Sequence, residues 1–305
     1  MPAATTLRLG TRGSMLARTQ SGHVARAIEA ANPGLAVEMV ILKTTGDQVQ
    51  DRPLADLGGK GLFTKEIEQA LLRGEIDLAV HSYKDVPVTM PLVEQSELLI
   101  AAVPTREDAR DVLAIKGGSG GAGATLESLP HGARVGTGSL RRRTQLLAAR
   151  PDLQILPLRG NIDTRLRKCR EGEYDAIVLA LAGLKRGGLF DPQSMAPLPP
   201  GVLTPAAGQG ALAIQCRAAD AAARAAVAPL HDAVTARCVD AERAVVLAMN
   251  ADCHSPIGVY AEPEGEGVRL IGVYADDLGL RRAAAAGPDA AAQLSRALLS
   301  VFEAQ

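Results

Sequence analysis

An α/β fold, two layered units followed by a smaller α+β domain, is what this sequence predicts, and three observations predict it. Short apolar strands alternate with amphipathic helices through the first two thirds of the 305 residues, the pattern of largely parallel sheets joined by helical crossovers. A proline-rich stretch from Pro192 to Pro205 then breaks the alternation, and one more apolar strand follows it, so the chain crosses back after building a second unit. From Ala218 the composition shifts to alanine-rich helix, then to alternating strands.

Taken in order, Leu7 to Gly10, Val37 to Thr44, Asp77 to His81 and Leu98 to Val103 read as strands. Between them, Ser14 to Ala31 and Gly61 to Arg73 read as helices, the second placing Phe63, Ile67, Ala70 and Leu71 on one face at helical spacing. The second unit begins near Pro104 with strand Val112 to Ile115, and the glycine-rich 117–123 is a surface loop. Strand Arg134 to Gly136, helix Ser139 to Ala149, strand Leu153 to Leu158, a helix from Asn161 and strand Ala176 to Leu181 follow. After the crossover come strand Ala211 to Cys216, an alanine-rich helix through Asn250, strands Ile257 to Ala261 and Val268 to Tyr274, and a last helix from Asp289. The expected division is 1–103 with 204–217 as domain 1, 104–203 as domain 2 and 218–305 as domain 3. Two α/β units joined by a returning crossover imply a cleft, with ligands at the carboxyl ends of the strands.

Composition narrows the function classes. Hydrophobic residues make up 47% and charged residues 22%, as in globular proteins, and the formal net charge of -1 argues against a nucleic-acid partner. With no Trp, three Phe and four Tyr, there are few platforms for base stacking. The start lacks a basic segment followed by an apolar one, and no apolar run approaches the ~20 residues that span a membrane, so a cytoplasmic protein without a membrane partner is expected. The cysteines Cys169, Cys216, Cys238 and Cys253 have no metal-ligand spacing, and no metal site is expected. Cys253 alone falls in a loop, Ala251-Asp-Cys-His-Ser-Pro256, and is the best candidate for a reactive thiol, although its local chemistry by itself favours an ordinary free cysteine.

Against this neutral background, Gly136 to Arg170 carries eight arginines and one lysine against two aspartates. Arg141, Arg142 and Arg143 follow the Gly136-Thr-Gly-Ser139 turn, which reads as a helix N-cap. A helix start already bears about half a positive charge, so stacked guanidinium groups there are unfavourable unless an anion sits among them. Arginine forks suit carboxylate or phosphate. A lysine and a carboxylate, Lys84 and Asp85, reach the same kind of strand edge through His81-Ser-Tyr-Lys-Asp-Val-Pro87, and a carboxylate among cations can stabilise a developing cation or shuttle a proton. Arg12 and Ser14 follow the first strand, Ser14 as a helix cap. Lys60 lies in a loop made pliable by three glycines, suited to a lid.

Together, Leu9-Gly-Thr-Arg-Gly-Ser14, Lys43-Thr-Thr-Gly-Asp47, Gly58-Gly-Lys-Gly-Leu-Phe63, His81-Ser-Tyr-Lys-Asp-Val-Pro87, Gly136-Thr-Gly-Ser-Leu-Arg-Arg142, Leu158-Arg-Gly-Asn161 and Ala206-Ala-Gly-Gln-Gly210 resemble the porphobilinogen deaminase family over about residues 7 to 260. The resemblance implies two domains like the lobes of type II periplasmic binding proteins and a third bearing a cysteine loop. It implies an enzyme of tetrapyrrole biosynthesis that condenses four porphobilinogen molecules head to tail with loss of ammonia, then hydrolyses off hydroxymethylbilane; a monomer is expected. It also implies a dipyrromethane cofactor joined by a thioether to Cys253. By residue matching, Lys84, Thr137, Ser139, Arg141 and Arg142 hold cofactor carboxylates, and Arg12, Ser14, Arg159, Arg165 and Arg186 serve substrate and growing chain. Asp85 matches the catalytic carboxylate and also contacts the cofactor; Lys60 and Phe63 fall in the candidate lid. The sequence departs from the family pattern at Ala251-Asp252, where Gly-Gly is common, at Gly138, where serine is usual, and at Tyr83, where an aliphatic residue is usual. A carboxylate-binding receptor would share the cleft and arginines but needs no loop cysteine and normally carries an export signal.

Overall fold

The structure, a computed structural model, describes residues 5–44, 64–89, 97–118, 125–252 and 255–300. It consists of two compact units, Met1–Glu107 with Ala211–Ala236, and Asp108–Gly210 with Arg237–Gln305.

The first unit is a sheet covered on both faces. Its strands are β1 (Thr5–Arg12), β2 (Leu35–Leu42), β3 (Leu78–Ser82), β4 (Leu98–Ala102) and, from the later chain, β10 (Leu212–Arg217), in the order β2-β1-β3-β10-β4. β1 pairs in parallel with β2 and β3, whereas β10 runs against β3 and β4. The sheet is therefore mixed rather than largely parallel: the crossover delivers β10 at the carboxyl end of β3, where the Tyr83 N–H donates to the Ala211 carbonyl at 3.0 Å, and the strand can only run back. Leu7, Leu9, Leu78, Val80 and Ile214 pack under Val24 and Ile28 of α1 (Met15–Ala31), with Val227 beside them. On the other face, Ile67, Ala70 and Leu71 of α2 (Lys65–Leu72) bury against Ile76 and Ala79, the stripe expected from helical spacing; Phe63 lies outside the described residues.

The long alanine-rich helix expected from Ala218 is broken. Helix Ala221–Val227 passes into a single 3-10 turn, Ala228–Leu230, because Pro229 has no N–H and its ring collides with the preceding turn. Asp232 then accepts from the Thr235 N–H at 2.7 Å, and helix Ala233–Ala248 starts afresh.

The second unit holds two sheets. In the first, β5 (Asp111–Ile115), β6 (Arg134–Gly136), β7 (Gln154–Leu156), β8 (Ala176–Ala180) and β9 (Met195–Pro197) are ordered β7-β6-β8-β5-β9. β6 is parallel to β7 and β8; β5 opposes β8, and β9 opposes β5. β9 was not expected inside the proline-rich crossover, yet it is a three-residue edge strand, where a proline needs no ladder donor on its open side. The second sheet is an antiparallel meander of β11 (Ile257–Glu264), β12 (Gly267–Asp276) and β13 (Gly279–Ala286), followed by helix Ala290–Leu299. β13 was also missed, because Ala283 to Ala286 has no strand preference; the turn at Gly279, with φ of 113°, and the free side of β12 make it a strand.

This meander is pressed onto the crossover. An added Cβ at Gly258 would lie 2.6 Å from the Thr204 carbonyl oxygen, and the Val259 N–H donates to the Pro205 carbonyl at 2.9 Å. From β13, Arg282 donates to the carbonyls of Gly201 and Val202 and to the Thr204 hydroxyl.

Candidate active site

In the first unit, β1 and β3 are parallel neighbours, with Leu9 opposite Leu78, so their carboxyl ends open at one edge. β1 ends in half-buried Arg12, and Ser14 caps the helix beyond it, its hydroxyl accepting from the Ala17 N–H at 3.3 Å. β3 passes directly into a 3-10 turn, Tyr83–Asp85, which leaves Asp85 exposed and Lys84 half-buried. Arg12, Ser14, Lys84 and Asp85 thus share an edge. Tyr83, which departs from the family pattern, is buried, and its carbonyl accepts from the Val86 N–H to close the turn. Just below, His81 is fully buried; burial is the main reason its imidazole is pushed down to about 4 and stays neutral.

In the second unit the parallel strands β7, β6 and β8 gather the remaining candidates at their carboxyl ends. β6 leads through Thr137 to Ser139, which caps α3 (Leu140–Ala149) by accepting from the Arg142 N–H, while Thr137 accepts from the Ser139 N–H. β7 leads to exposed Arg159 and to Arg165, whose Nε donates to the Gly160 carbonyl at 2.7 Å. Arg186 ends the short helix Leu181–Arg186 after β8 and donates to the Gly210 carbonyl at 2.8 Å. Gly138 approaches the neighbouring loop closely, since a Cβ there would lie 3.0 Å from the Leu158 carbonyl oxygen.

The crowding of cations at the α3 start is answered by a residue the sequence reading did not single out. β5 runs against β8, so its first residue, Asp111, sits at the same edge as the ends of the parallel strands. Its carboxylate is 0% exposed and accepts from Arg141 Nη1 at 2.8 Å, Arg142 Nη2 at 2.8 Å and Nε at 3.2 Å, and Gln209 Nε2 at 2.8 Å. The side chains of Arg141 and Arg142 are only 6% and 8% exposed. The anion that stacked guanidinium groups at a helix start call for is thus supplied in part by the chain itself. Burial opposes ionisation of Asp111, but the two guanidinium groups and their hydrogen bonds outweigh it and hold the carboxyl far below its usual range. The signal was a charged Arg110-Asp111 pair at the mouth of an apolar strand.

Two guanidinium groups against one carboxylate leave a surplus of one positive charge. Arg141 turns Nη1 inward to Asp111 and to the Thr204 carbonyl at 2.6 Å; Gln145 fixes Thr204 from the other side, donating to its carbonyl and accepting from its N–H. Gly208, next to Gln209, is held by buried Glu242, whose other oxygen accepts from the Ala261 N–H at 2.8 Å. Arg142 also donates Nη1 to the Val178 carbonyl at 3.0 Å; the surplus positive charge, with Thr137 and Ser139 at the start of the same helix, is chemistry that fits a carboxylate-bearing group. Among the other arginines of the run, Arg150 pairs with Asp152 at 2.7 Å and Arg167 with Glu171 at 2.8 Å, which makes them structural or surface pairs.

Cys253, Lys60 and Phe63 lie outside the described residues. Among the described neighbours of Cys253, Asn250 has φ of 49°, and Asp252 and Ser255 are bonded to each other through side chain and backbone. Among the described residues no cluster of His, Cys, Asp or Glu could hold a metal, and no helix is long and apolar enough to cross a membrane.

Each unit thus sets charged side chains at the carboxyl ends of its own parallel strands, the arrangement of an α/β ligand-binding protein. Residues 7–225 match the family model described as porphobilinogen deaminase, dipyromethane cofactor binding domain, and residues 236–300 match the C-terminal domain of the same family. The chain belongs to the porphobilinogen deaminase family. A porphobilinogen deaminase from Syntrophobacter fumaroxidans is 49% identical over 289 residues, covering 94% of this chain and 90% of that one, and one from Sorangium cellulosum is 50% identical over 281 residues, covering 92% and 90%. Among solved structures, the effector-binding domain of BenM with benzoate aligns at 13% identity and a TM-score of 0.41 over 72% of this chain and 87% of that one. The activity is accordingly that of a transferase of tetrapyrrole biosynthesis with porphobilinogen as substrate and dipyrromethane as cofactor.

Proposed function

We propose that Asp85 is the catalytic carboxylate of a stepwise condensation in which four porphobilinogen units are joined head to tail, each losing ammonia, before hydrolysis releases hydroxymethylbilane. The observation that carries this reading is the placement of an exposed carboxylate on the turn after β3, at the edge where β1 delivers Arg12. There Asp85 can accept from a pyrrole N–H, stabilise the cation left on the substrate when ammonia departs, and take part in deprotonating the coupled ring. Arg12, Ser14, Arg159, Arg165 and Arg186 hold the acetate and propionate groups of substrate and chain. Lys84, Thr137, Ser139, Arg141 and Arg142, with Asp85, hold the cofactor, and Cys253 attaches it. When bound, the dipyrromethane supplies an anchored end to which substrate units are joined. Lys60 and Phe63 belong to a covering loop. The enzyme acts as a cytoplasmic monomer of three domains, 1–103 with 204–217, 104–203 and 218–305.

Two experiments test the assignment. Asp85→Ala is expected to fold with an unchanged melting temperature and lose turnover; near-normal kcat in the folded variant would remove Asp85 from catalysis. The intact mass of active enzyme is expected to exceed the sequence mass by one dipyrromethane, and Cys253→Ser is expected to abolish the increment. An active enzyme of bare sequence mass would overturn the attachment.

A further inference from the structure

Beneath the turn that carries Lys84 and Asp85 lies a polar chain that the strand pattern does not require. His81 on β3 and Gln215 on β10 lie diagonally across the antiparallel pair, His81 facing Ala213 and Gln215 facing Ala79, so the two long side chains meet on one face over two alanines. The His81 Nε2 to Gln215 Oε1 distance is 3.0 Å, and Gln215 Nε2 donates to Oε1 of Glu68 at 3.1 Å. All three side chains are buried, and Glu68 comes from α2 on the same face.

The chain has one direction. A carboxylate oxygen accepts, so the Gln215 amide turns its NH2 toward Glu68 and its carbonyl toward His81. The imidazole must then donate from Nε2, which leaves the lone pair on Nδ1. Around the ring stand Gln215 from β10, Glu68 beyond it from α2, Arg12 from β1 and Asp85 from the turn after β3; the last two act on it in opposite directions, Arg12 disfavouring and Asp85 favouring a proton. On the α1 side, Ser82 donates to the uncharged Gln20.

We infer that His81, fixed by Gln215 and Glu68 as the neutral Nε2–H tautomer, is a positioning residue for the reaction. It pins the end of β3 from which Lys84 and Asp85 project, and it keeps a buried cation away from Asp85 and Arg12, both of which act on the ring. An imidazolium there would draw the Asp85 carboxylate inward and away from the reacting ring. The inference rests on the reading of Asp85 given above.

The test uses holoenzyme with labelled histidine, the His81 signal being identified by its loss in His81→Asn. Nitrogen-detected imidazole spectra are expected to show His81 as a single Nε2–H tautomer that does not titrate from pH 8 to about 5.5. In Gln215→Glu the second carboxylate brings His81 into titration near neutrality. At pH 7 kcat then falls on the order of tenfold with KM little changed, and it recovers above the new His81 pKa. A charged or Nδ1–H His81 in the parent enzyme overturns the inference. So does a Gln215→Glu enzyme whose His81 charge state changes while its kcat profile stays that of the parent. Should that variant fail to fold, Glu68→Gln removes the fixed acceptor at constant volume and is expected to give both tautomers with reduced kcat; a single Nε2–H signal with parental kcat there overturns the inference as well. The tautomer does not depend on the role of Asp85, so normal turnover in Asp85→Asn would refute the catalytic assignment while leaving the spectroscopic result to stand on its own.

Discussion

Replacing Asp111 by asparagine probes the buried ion group directly. The change keeps the side-chain shape but removes the one negative charge facing two guanidinium groups that are 6% and 8% exposed. Of the four hydrogen bonds the carboxylate accepts, the amide can keep those on one oxygen, and it turns an NH2 toward a cation at the other. Breaking a buried pair by removing one partner costs about 3–5 kcal/mol, and with two arginines left uncompensated the expected value is about 4 kcal/mol. For a unit of this size that corresponds to roughly 10 °C in the melting temperature. Calorimetry of holoenzyme at pH 7 reads it, with circular dichroism confirming the fold. The pH dependence supplies the sign. Because the folded-state pKa of Asp111 lies below its unfolded value, its stabilisation is complete above about pH 4 and is lost as the pH falls toward the folded pKa. The gap between parent and Asp111→Asn should therefore be constant from pH 5 to 8 and narrow below pH 4. A loss under about 1 kcal/mol at pH 7, or a gap that widens in acid, would refute the reasoning.

Other changes test the supports around this group. Glu242→Ala leaves the Gly208 and Ala261 N–H groups buried without an acceptor and is expected to cost about 3 kcal/mol in urea unfolding, with Glu242→Gln recovering part of the loss; a neutral result for alanine would mean that water replaces the carboxylate. Gly258→Ala forces a Cβ to within 2.6 Å of the Thr204 carbonyl oxygen, so a loss of about 2–3 kcal/mol is expected; an unchanged midpoint would show that β11 can lift off the crossover freely. Gly138→Ser meets the Leu158 carbonyl oxygen at 3.0 Å, a contact that a few tenths of an ångström relieves, and is expected to change stability by less than about 1 kcal/mol; a larger loss would mean that the two loops cannot shift apart.

Much of this was legible in the sequence because strand and helix periods are local. β1, β3, β6 and β8 lie where their apolar runs put them, and the helix caps at Ser14 and Ser139 lie where serine precedes a helical pattern. What the sequence hid depends on pairing partners. β13 has the composition of a helix and becomes a strand only because β12 offers an open edge. Asp111 precedes the strand expected over Val112 to Ile115; its role appears only when the antiparallel register of β5 and β8 sets it beside Arg141 and Arg142, 30 and 31 residues further along the chain. His81 and Gln215, 134 residues apart, are joined by the same kind of register, which no local pattern encodes.

The burial of three thiols has a practical side. Cys169, Cys216 and Cys238 are all enclosed, and burial pushes the Cys169 and Cys216 thiols up to about 11, so near neutral pH only about one in ten thousand of either is thiolate. An alkylating reagent applied to the native protein therefore meets three slow thiols, and the fourth cysteine, Cys253, lies outside the described residues. If that sulfur is the one that carries the cofactor, the stoichiometry of fast alkylation counts the molecules still waiting for it: one equivalent for a cofactor-free chain, none for a loaded one, and the fraction between for any mixture.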